Sequence, residues 1–270
     1  MLLLGFFVDY VKIEFITIMS ILSLQHICYT QLNTSTWCAT AQLIAPSPRC
    51  ALPILQLASD NPLQPYIAKA DVQHRNNWQI IPYPPLTKPQ IAQTKRQQQR
   101  QGVRLLLDSL LTHLSLTDSL KESSFPYRLA KSGYYVCFSH SSGKDASNIK
   151  TTRVAVALCK YRAIGIDVET QAIAWQVVQR FYHPAEIEIL NKLPIAQREL
   201  ISKWLWQLKE SNIKIMQYTL AQGLGKSYAD IIPKLIAALD KNGLAKISIT
   251  FTDSDYQITL LPSQQTLVVF

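Results

Sequence analysis

Two stretches of the chain carry the clearest pattern of apolar and polar positions. At residues 164–169 the sequence I-G-I-D-V-E alternates between apolar and acidic side chains, which is typical of a strand with Ile166 and Val168 in the core. Between residues 197 and 214, apolar residues recur at positions 200, 201, 204, 205 and 208 without an internal glycine or proline. This spacing predicts a helix with one buried face.

Weaker patterns extend the prediction along the chain. A helix is predicted from Lys95 to His113, and the proline-rich stretch 25–94 is predicted to form short strands and loops. Further helices are predicted at 173–181, 184–192 and 196–220, and strands at 134–140, 153–159, 246–251 and 256–260. Because the G-L-G-K segment at 223–226 lacks the spacing of a phosphate-binding loop, it is predicted to end a helix.

The strand at 164–169 is predicted to form a hairpin. The preceding strand, 153–159, is separated from it only by a turn at 160–163, and short turns usually join antiparallel neighbours. The residues before this pair, Ser141–Lys150, are predicted to form a polar loop.

The acidic residues of the two periodic segments form a candidate metal site. Side chains alternate along a strand, so Asp167 and Glu169 are predicted on one face, and Glu210 and Lys214 share a face of the helix because they are four residues apart. Three carboxylates suit Mg²⁺, which prefers oxygen ligands, and the lysine would neutralise a phosphate. Each pair alone is more typical of a solvated face or a surface ion pair, so the prediction depends on their joint occurrence.

Four segments resemble the 4′-phosphopantetheinyl transferases of the larger, pseudo-dimeric class. G-I-D-V-E at 165–169 is similar to that family's G-[IV]-D-[IV]-E strand, and W-Q-L-K-E-S-N-I-K at 206–214 to its W-x-x-K-E-[SA]-x-x-K helix. V-C-F-S-H-S at 136–141 and R-F-Y-H-P-A-E at 180–186 resemble two further segments of the family.

The resemblance implies a fold of the α+β class. Two similar α/β halves, each with a small antiparallel sheet and a long helix, are expected to pack as a pseudo-dimer. The N-terminal half is expected at residues 19–152 and the C-terminal half, with the metal site, at residues 153–270. An alternative start of translation at Met19 would leave residues 1–18 as an extension outside the fold.

The resemblance also implies an activity, namely that of a holo-[acyl-carrier-protein] synthase. A serine of an apo acyl or peptidyl carrier protein would attack coenzyme A, taking 4′-phosphopantetheine and releasing 3′,5′-ADP, as in fatty acid biosynthesis. Asp167, Glu169 and Glu210 would hold Mg²⁺, and Glu210 and Lys214 would be the catalytic residues. The general base stays open between a water on the metal, Glu210 and Lys214.

The same resemblance implies that five residues contact coenzyme A. Arg96 and Arg100 would bind its phosphates, His140 its 3′-phosphate beside Ser139, and Lys214 the phosphate that is attacked. The family's G-K-P segment is replaced here by F-P-Y-R-L-A-K-S-G at 125–133, which leaves Arg128 or Lys131 as substitutes for its lysine.

Charge and composition restrict the partners. The net charge is +9, with basic residues clustered at Lys88, Lys95, Arg96, Arg100 and Arg104, which favours polyanions such as coenzyme A and an acidic carrier protein. No helix-turn-helix, zinc-finger or aromatic RNA-binding signature accompanies these residues, so nucleic acid is not expected as a partner.

The cysteines and the N-terminus bear on localisation. The five cysteines lack paired spacing, which is typical of buried, reduced thiols in a cytoplasmic protein. Asp9, Lys12 and Glu14 interrupt the apolar N-terminus, so no membrane segment is expected. The expectation is a cytoplasmic monomer without membrane contact.

Two other functions would use the same features. A metal-dependent phosphodiesterase or nuclease would hydrolyse its substrate with the same three carboxylates and without a carrier protein. A non-catalytic module that binds a carrier protein or nucleic acid would keep the basic helix without turnover.

Overall fold

The computed structural model describes residues 22–45, 54–57, 78–81, 86–144, 150–239, 249–253 and 255–270. The strands are β1 (Ser23–Asn33), β2 (Thr36–Ile44), β3 (Ile54–Leu57), β4 (Trp78–Ile81), β5 (Leu120–Lys121), β6 (Tyr127–Leu129), β7 (Tyr135–Lys144), β8 (Lys150–Cys159), β9 (Gly165–Val168), β10 (Ile249–Asp253), β11 (Tyr256–Leu261) and β12 (Thr266–Val269). The helices are α1 (Lys88–His113), α2 (Trp175–Phe181), α3 (Pro184–Asn191), α4 (Ile195–Met216), α5 (Leu220–Gly225) and α6 (Ile232–Ala237).

The chain divides into two compact units. The larger comprises the described parts of residues 1–45 and 98–270, and the smaller those of residues 46–97. In the smaller unit, β3 and β4 form an antiparallel pair, and α1 begins there before it continues into the larger unit.

Two antiparallel sheets build the larger unit. One has the strand order β1-β2-β8-β7-β6-β5 and the other β10-β11-β12-β9. One face of the six-stranded sheet packs on α1 through buried residues that include Leu106, Leu110, Val136 and Val156. Because strand side chains alternate between faces, the next residues along β7 and β8 point to the opposite side.

The two sheets pack against each other through small side chains. Cys137, Ala155 and Ala157 of the six-stranded sheet share a buried cluster with Ile166 and Val268 of the four-stranded sheet. The opposite face of the four-stranded sheet packs on α4 through a third buried cluster, which includes Trp204, Leu205, Leu208, Leu260 and Leu267. The layers therefore follow the order helix, sheet, sheet, helix.

The α+β class is confirmed, and Ile166 and Val168 lie in the core as predicted, with 0% and 1% of their surface exposed. The division into two similar halves at residues 152/153 stays a prediction, and that boundary falls inside β8. Residues 1–18, the proposed extension, lie outside the described residues.

The predicted hairpin of residues 153–159 and 164–169 is wrong. Strand β8 lies between β2 and β7, so both of its hydrogen-bonding edges are occupied, and β9 pairs instead with β12. The turn at 160–163 carries the chain from one sheet to the other. The predicted polar loop is also too long, because β7 continues to Lys144 and β8 begins at Lys150.

Capping residues explain why two helix ends differ from the prediction. Helix α1 begins at Lys88 because Thr87 and Gln90 bond to each other's backbone, and Pro89 is tolerated in the first turn. Helix α4 ends at Met216 because Gln217 adopts a left-handed conformation with φ 57°. The G-L-G residues then belong to the separate helix α5.

The prediction of buried thiols is confirmed for Cys38, Cys137 and Cys159 but is wrong for Cys28, whose free thiol is exposed. Cys50 lies outside the described residues. None of the helices in the described part of the chain combines the length and the apolar character needed to cross a membrane.

A fully buried ion pair fixes α4 on the side away from the sheets. Lys209 Nζ lies 3.0 Å from Glu186 Oε2, and both side chains are 0% exposed. The ammonium also donates to the carbonyl oxygens of Leu224 and Lys226, at 2.8 and 2.5 Å. Glu186 accepts hydrogen bonds from the backbone N–H groups of His183 and Tyr228, so the pair joins α3, α4 and the segment after α5.

We expect Lys209→Met to destabilise the protein by about 3–5 kcal/mol, because Glu186 would remain buried without its cation. Urea unfolding measures this change. The double variant Lys209→Met/Glu186→Gln is expected to recover part of the loss, since no buried charge is then left unpaired. Lys192→Met, which breaks the exposed pair with Glu188, is the matched control. An equal effect of the two lysine variants would contradict the buried network.

Candidate functional site

Two serines of β7 join this strand to the acidic segment of β9. The Ser139 hydroxyl donates to Asp167 Oδ1 at 2.8 Å and accepts the Val168 N–H. The Ser141 hydroxyl donates to Glu169 Oε1 at 2.8 Å. The S-H-S and D-V-E motifs are therefore in register, one serine for each carboxylate. Ser141 was not predicted as a site residue, although its spacing of two from Ser139 matches that of the acidic pair.

Helix α4 approaches β9 closely enough to exclude a side chain at Gly165. A Cβ atom at Gly165 would lie 2.2 Å from the carbonyl oxygen of Ser211, well inside any normal contact distance. The Gln207 side chain reinforces this approach by donating to the backbone carbonyls of Asp167, at 3.2 Å, and of Gln265, at 2.7 Å. The glycine of the G-I-D motif thus lets the helix bring its own functional side chains next to Asp167.

Lys214 reaches β9 from this helix. Its ammonium donates to the Ile166 carbonyl at 2.7 Å and to Asp167 Oδ1 at 3.0 Å. Burial lowers the pKa of Lys214, but the acidic side chain of Asp167 reverses the effect and the pKa is raised overall. Burial raises the pKa of Asp167, and Lys214 only partly opposes this shift.

Glu210 lies half-buried beside the same groups. Burial raises the pKa of its carboxyl group; Lys214 opposes the shift, and the negative charges of Asp167 and Glu169 add to it. Among the described residues the Glu210 carboxylate accepts no hydrogen bond, and each hydrogen bond to the Asp167 side chain is made to Oδ1. Glu169 has a basic neighbour outside the motifs, because Lys203 of α4 contributes a favourable charge interaction with it.

Asp167, Glu169, Glu210 and Lys214 line one pocket of about 500 Å³. Seven of the predicted site residues line it: Arg100, Ser139, His140, Asp167, Glu169, Glu210 and Lys214. Seven further lining residues were not predicted to belong to the site: Val103, Arg104, Glu122, Tyr127, Phe138, Val168 and Trp206. Arg104 continues the four-residue spacing of Arg96 and Arg100, and this spacing could have predicted that Arg104 belongs to the site.

The predicted metal ligands share the pocket without forming a cluster. In the described residues, no group of three or more His, Cys, Asp or Glu side chains is close enough to hold a metal ion. Asp167 contacts Lys214 and Ser139 instead, and Glu169 contacts Ser141. The three-carboxylate magnesium site therefore stays a prediction.

Three basic residues considered for the cofactor remain, one in the smaller unit and two in the larger. Arg96 lies one turn before Arg100 on α1 but belongs to the smaller unit, and its role stays a prediction. Arg128 stacks on the ring of Tyr135, at 3.9 Å from its centroid, and Lys131 donates to the Thr117 carbonyl. Neither Arg128 nor Lys131 is among the described residues that line the pocket.

We expect Gly165→Ala to destabilise the protein by at least about 2 kcal/mol, because the added methyl group would meet backbone that cannot rotate away. Gly225→Ala is the matched control, since a Cβ there has no atom within 4 Å. Thermal unfolding of the two variants measures the difference. Equal stability would show that α4 does not approach β9 as closely as described.

The comparisons with known proteins bear on the same segments. Residues 163–260 match the family model of the 4′-phosphopantetheinyl transferase superfamily. The matched region contains Asp167, Glu169, Glu210 and Lys214. No curated protein gives a significant match to the chain. Over these residues the match confirms the resemblance to the superfamily that the motifs indicate, and phosphopantetheinyl transfer is the activity for which this superfamily is named.

Proposed function

We propose that this protein transfers the 4′-phosphopantetheine group of coenzyme A to a serine of an apo carrier protein, as a Mg²⁺-dependent holo-[acyl-carrier-protein] synthase. The observation that carries the proposal is the meeting of two kinds of side chain in one pocket. Arg100, Arg104 and His140 line it together with Asp167, Glu169, Glu210 and Lys214. A ligand that combines phosphates with a divalent cation requires both groups of residues.

The residues fit a divalent cation by their donor atoms. Asp167 Oδ2 and both oxygens of Glu210 accept no hydrogen bond from the described residues, and the pocket's four carboxylates outnumber its Arg and Lys side chains by one. Mg²⁺ prefers such oxygen ligands and completes its coordination with water or phosphate. Asp167, Glu169 and Glu210 would hold the ion. When bound, the ion would offset charge on the pyrophosphate of coenzyme A.

Hydrogen bonding supports a phosphate-binding role for Lys214. An ammonium group has three N–H donors. In Lys214, two of them donate to described residues, one to the Ile166 carbonyl and one to Asp167 Oδ1. The third can donate to a phosphate oxygen. Since the carboxylate of Asp167, 3.0 Å from its Nζ, favours the charged form, Lys214 would act as a fixed cation, and the attacking serine would lose its proton to another group.

Arg100, Arg104 and His140 would bind the remaining phosphates of coenzyme A. Arg100 and Arg104 are one turn apart on α1, and His140 lies on β7 next to the serine that contacts Asp167. Arginine is well suited to phosphate because its planar guanidinium donates two parallel hydrogen bonds. These contacts would orient coenzyme A with its pyrophosphate towards Lys214.

The proposed partner is an acidic apo carrier protein, because the chain carries a net charge of +9. We further propose that the protein acts as a monomer in the cytoplasm. The free thiols of Cys28, Cys38, Cys137 and Cys159 fit a reducing compartment.

The decisive experiment measures the intact mass of purified apo carrier proteins after incubation with the protein, coenzyme A and Mg²⁺. We expect a gain of about 340 Da, the mass of one phosphopantetheine group. Glu210→Gln keeps the shape of the side chain but removes its charge, and we expect it to lower the rate at least about 100-fold. Chelation of Mg²⁺ should abolish the gain.

Glu199→Gln is the matched control, because it removes the same charge from an exposed position of the same helix. It is expected to retain the wild-type rate. Release of 3′,5′-ADP without a carrier protein would instead support the phosphodiesterase hypothesis. Absence of any reaction with carrier proteins of several classes would overturn the proposed transfer.

A further inference from the structure

One ion pair in the pocket places a carboxylate against a residue of the phosphate-binding side. Glu122, immediately after β5, accepts two hydrogen bonds from Arg104, from Nε at 2.9 Å and from Nη2 at 2.7 Å. This fork geometry is the same one by which arginine binds phosphate. The pair is accessible, with 33% of the Arg104 side chain and 48% of the Glu122 side chain exposed.

The surroundings hold Arg104 in this orientation. Its Nη1 donates to the Arg100 carbonyl at 3.0 Å, and its guanidinium carbon lies 5.6 Å from the centre of the Phe138 ring. The ion pair with Arg104 lowers the pKa of Glu122, and the charge of Arg100 adds to the shift. Glu122 therefore stays ionised at neutral pH and occupies the donors of Arg104 that face it.

We propose that Glu122 is an internal competitor for Arg104, so that a phosphate of coenzyme A must displace this carboxylate in order to bind. The inference rests on the proposed function, because it takes Arg104 as a binding residue for the phosphates. It adds a role for Glu122, a residue outside the motifs, as a determinant of affinity for the ADP moiety.

A competitor of this kind benefits turnover. Coenzyme A and the product 3′,5′-ADP share the same ADP moiety, so contacts with that moiety strengthen the binding of both equally. A product that binds too tightly leaves slowly, and its release then limits the rate. By offsetting part of the energy of the Arg104 contact, Glu122 would weaken the product complex, while the contacts at the reacting phosphate remain unchanged.

The test is a double-mutant cycle on the binding of 3′,5′-ADP. Isothermal titration calorimetry in the presence of Mg²⁺ measures the Kd of each variant. We expect Glu122→Gln to lower the Kd about three- to fivefold, which is the upper range for an accessible ion pair. In an Arg104→Gln background the same change should alter the Kd by less than about twofold, because no competition remains. Glu188→Gln, which removes the same charge from an exposed pair with Lys192, is the control and should leave the Kd unchanged.

Glu122→Ala is the second variant, and thermal unfolding of each protein verifies that it is folded. The inference is overturned if Glu122→Gln and Glu122→Ala leave the Kd unchanged or raise it, or if their effect persists without Arg104. If the wild type transfers phosphopantetheine while these variants bind 3′,5′-ADP as the wild type does, only the inference fails. If the wild type neither transfers the group nor binds 3′,5′-ADP, the proposed function fails and the inference with it.

Discussion

The site depends on the close approach of helix α4 to strand β9. Three residues along one face of the helix make this contact: Gln207 donates to the Asp167 carbonyl, Ser211 places its own carbonyl against Gly165, and Lys214 donates to the Ile166 carbonyl. Their spacing of four and three residues is the spacing at which one helix face meets a neighbour. Each contact uses backbone of β9, which explains why the strand needs a glycine there and why the helix cannot slide by a turn without losing the set.

The same helix shows how neighbouring residues serve different purposes. Successive residues are rotated by about 100° around a helix axis, so Lys209 and Glu210 point in different directions. Lys209 is enclosed in a network where the ammonium and the carboxylate of Glu186 have several partners each. Glu210 faces the pocket, and its carboxylate has no hydrogen-bond partner among the described residues. The K-E dipeptide of the motif thus joins a residue that anchors the helix to one that faces the pocket.

Much of this arrangement could be predicted from the sequence, and the exceptions have physical causes. Periodicity placed Asp167 opposite the core residues Ile166 and Val168, and it predicted that Glu210 and Lys214 would share a helix face. It could not predict which strand pairs with β9, because pairing depends on which edges are already occupied, and β8 has both edges occupied. The Arg104–Glu122 contact joins two residues that are 18 positions apart, one on α1 and the other just after the short strand β5. Local patterns carry no information on such pairs.

The charged side chains around the pocket are arranged so that each sign is partly offset by the other. If the carboxylates of Asp167, Glu169 and Glu210 faced only each other, the repulsion between like charges would destabilise the fold. Lys214 relieves part of it through Asp167, and Lys203 part of it near Glu169, while Glu210 keeps unused acceptor oxygens. The lysines thus offset part of the negative charge, and the Glu210 carboxylate keeps its acceptor oxygens available to a ligand. On the other side of the pocket, Glu122 offsets the positive charge of Arg104 through an ion pair. In both halves of the pocket, an ion pair within the protein therefore offsets part of the local charge: Lys214 beside Asp167 in one half, and Glu122 beside Arg104 in the other.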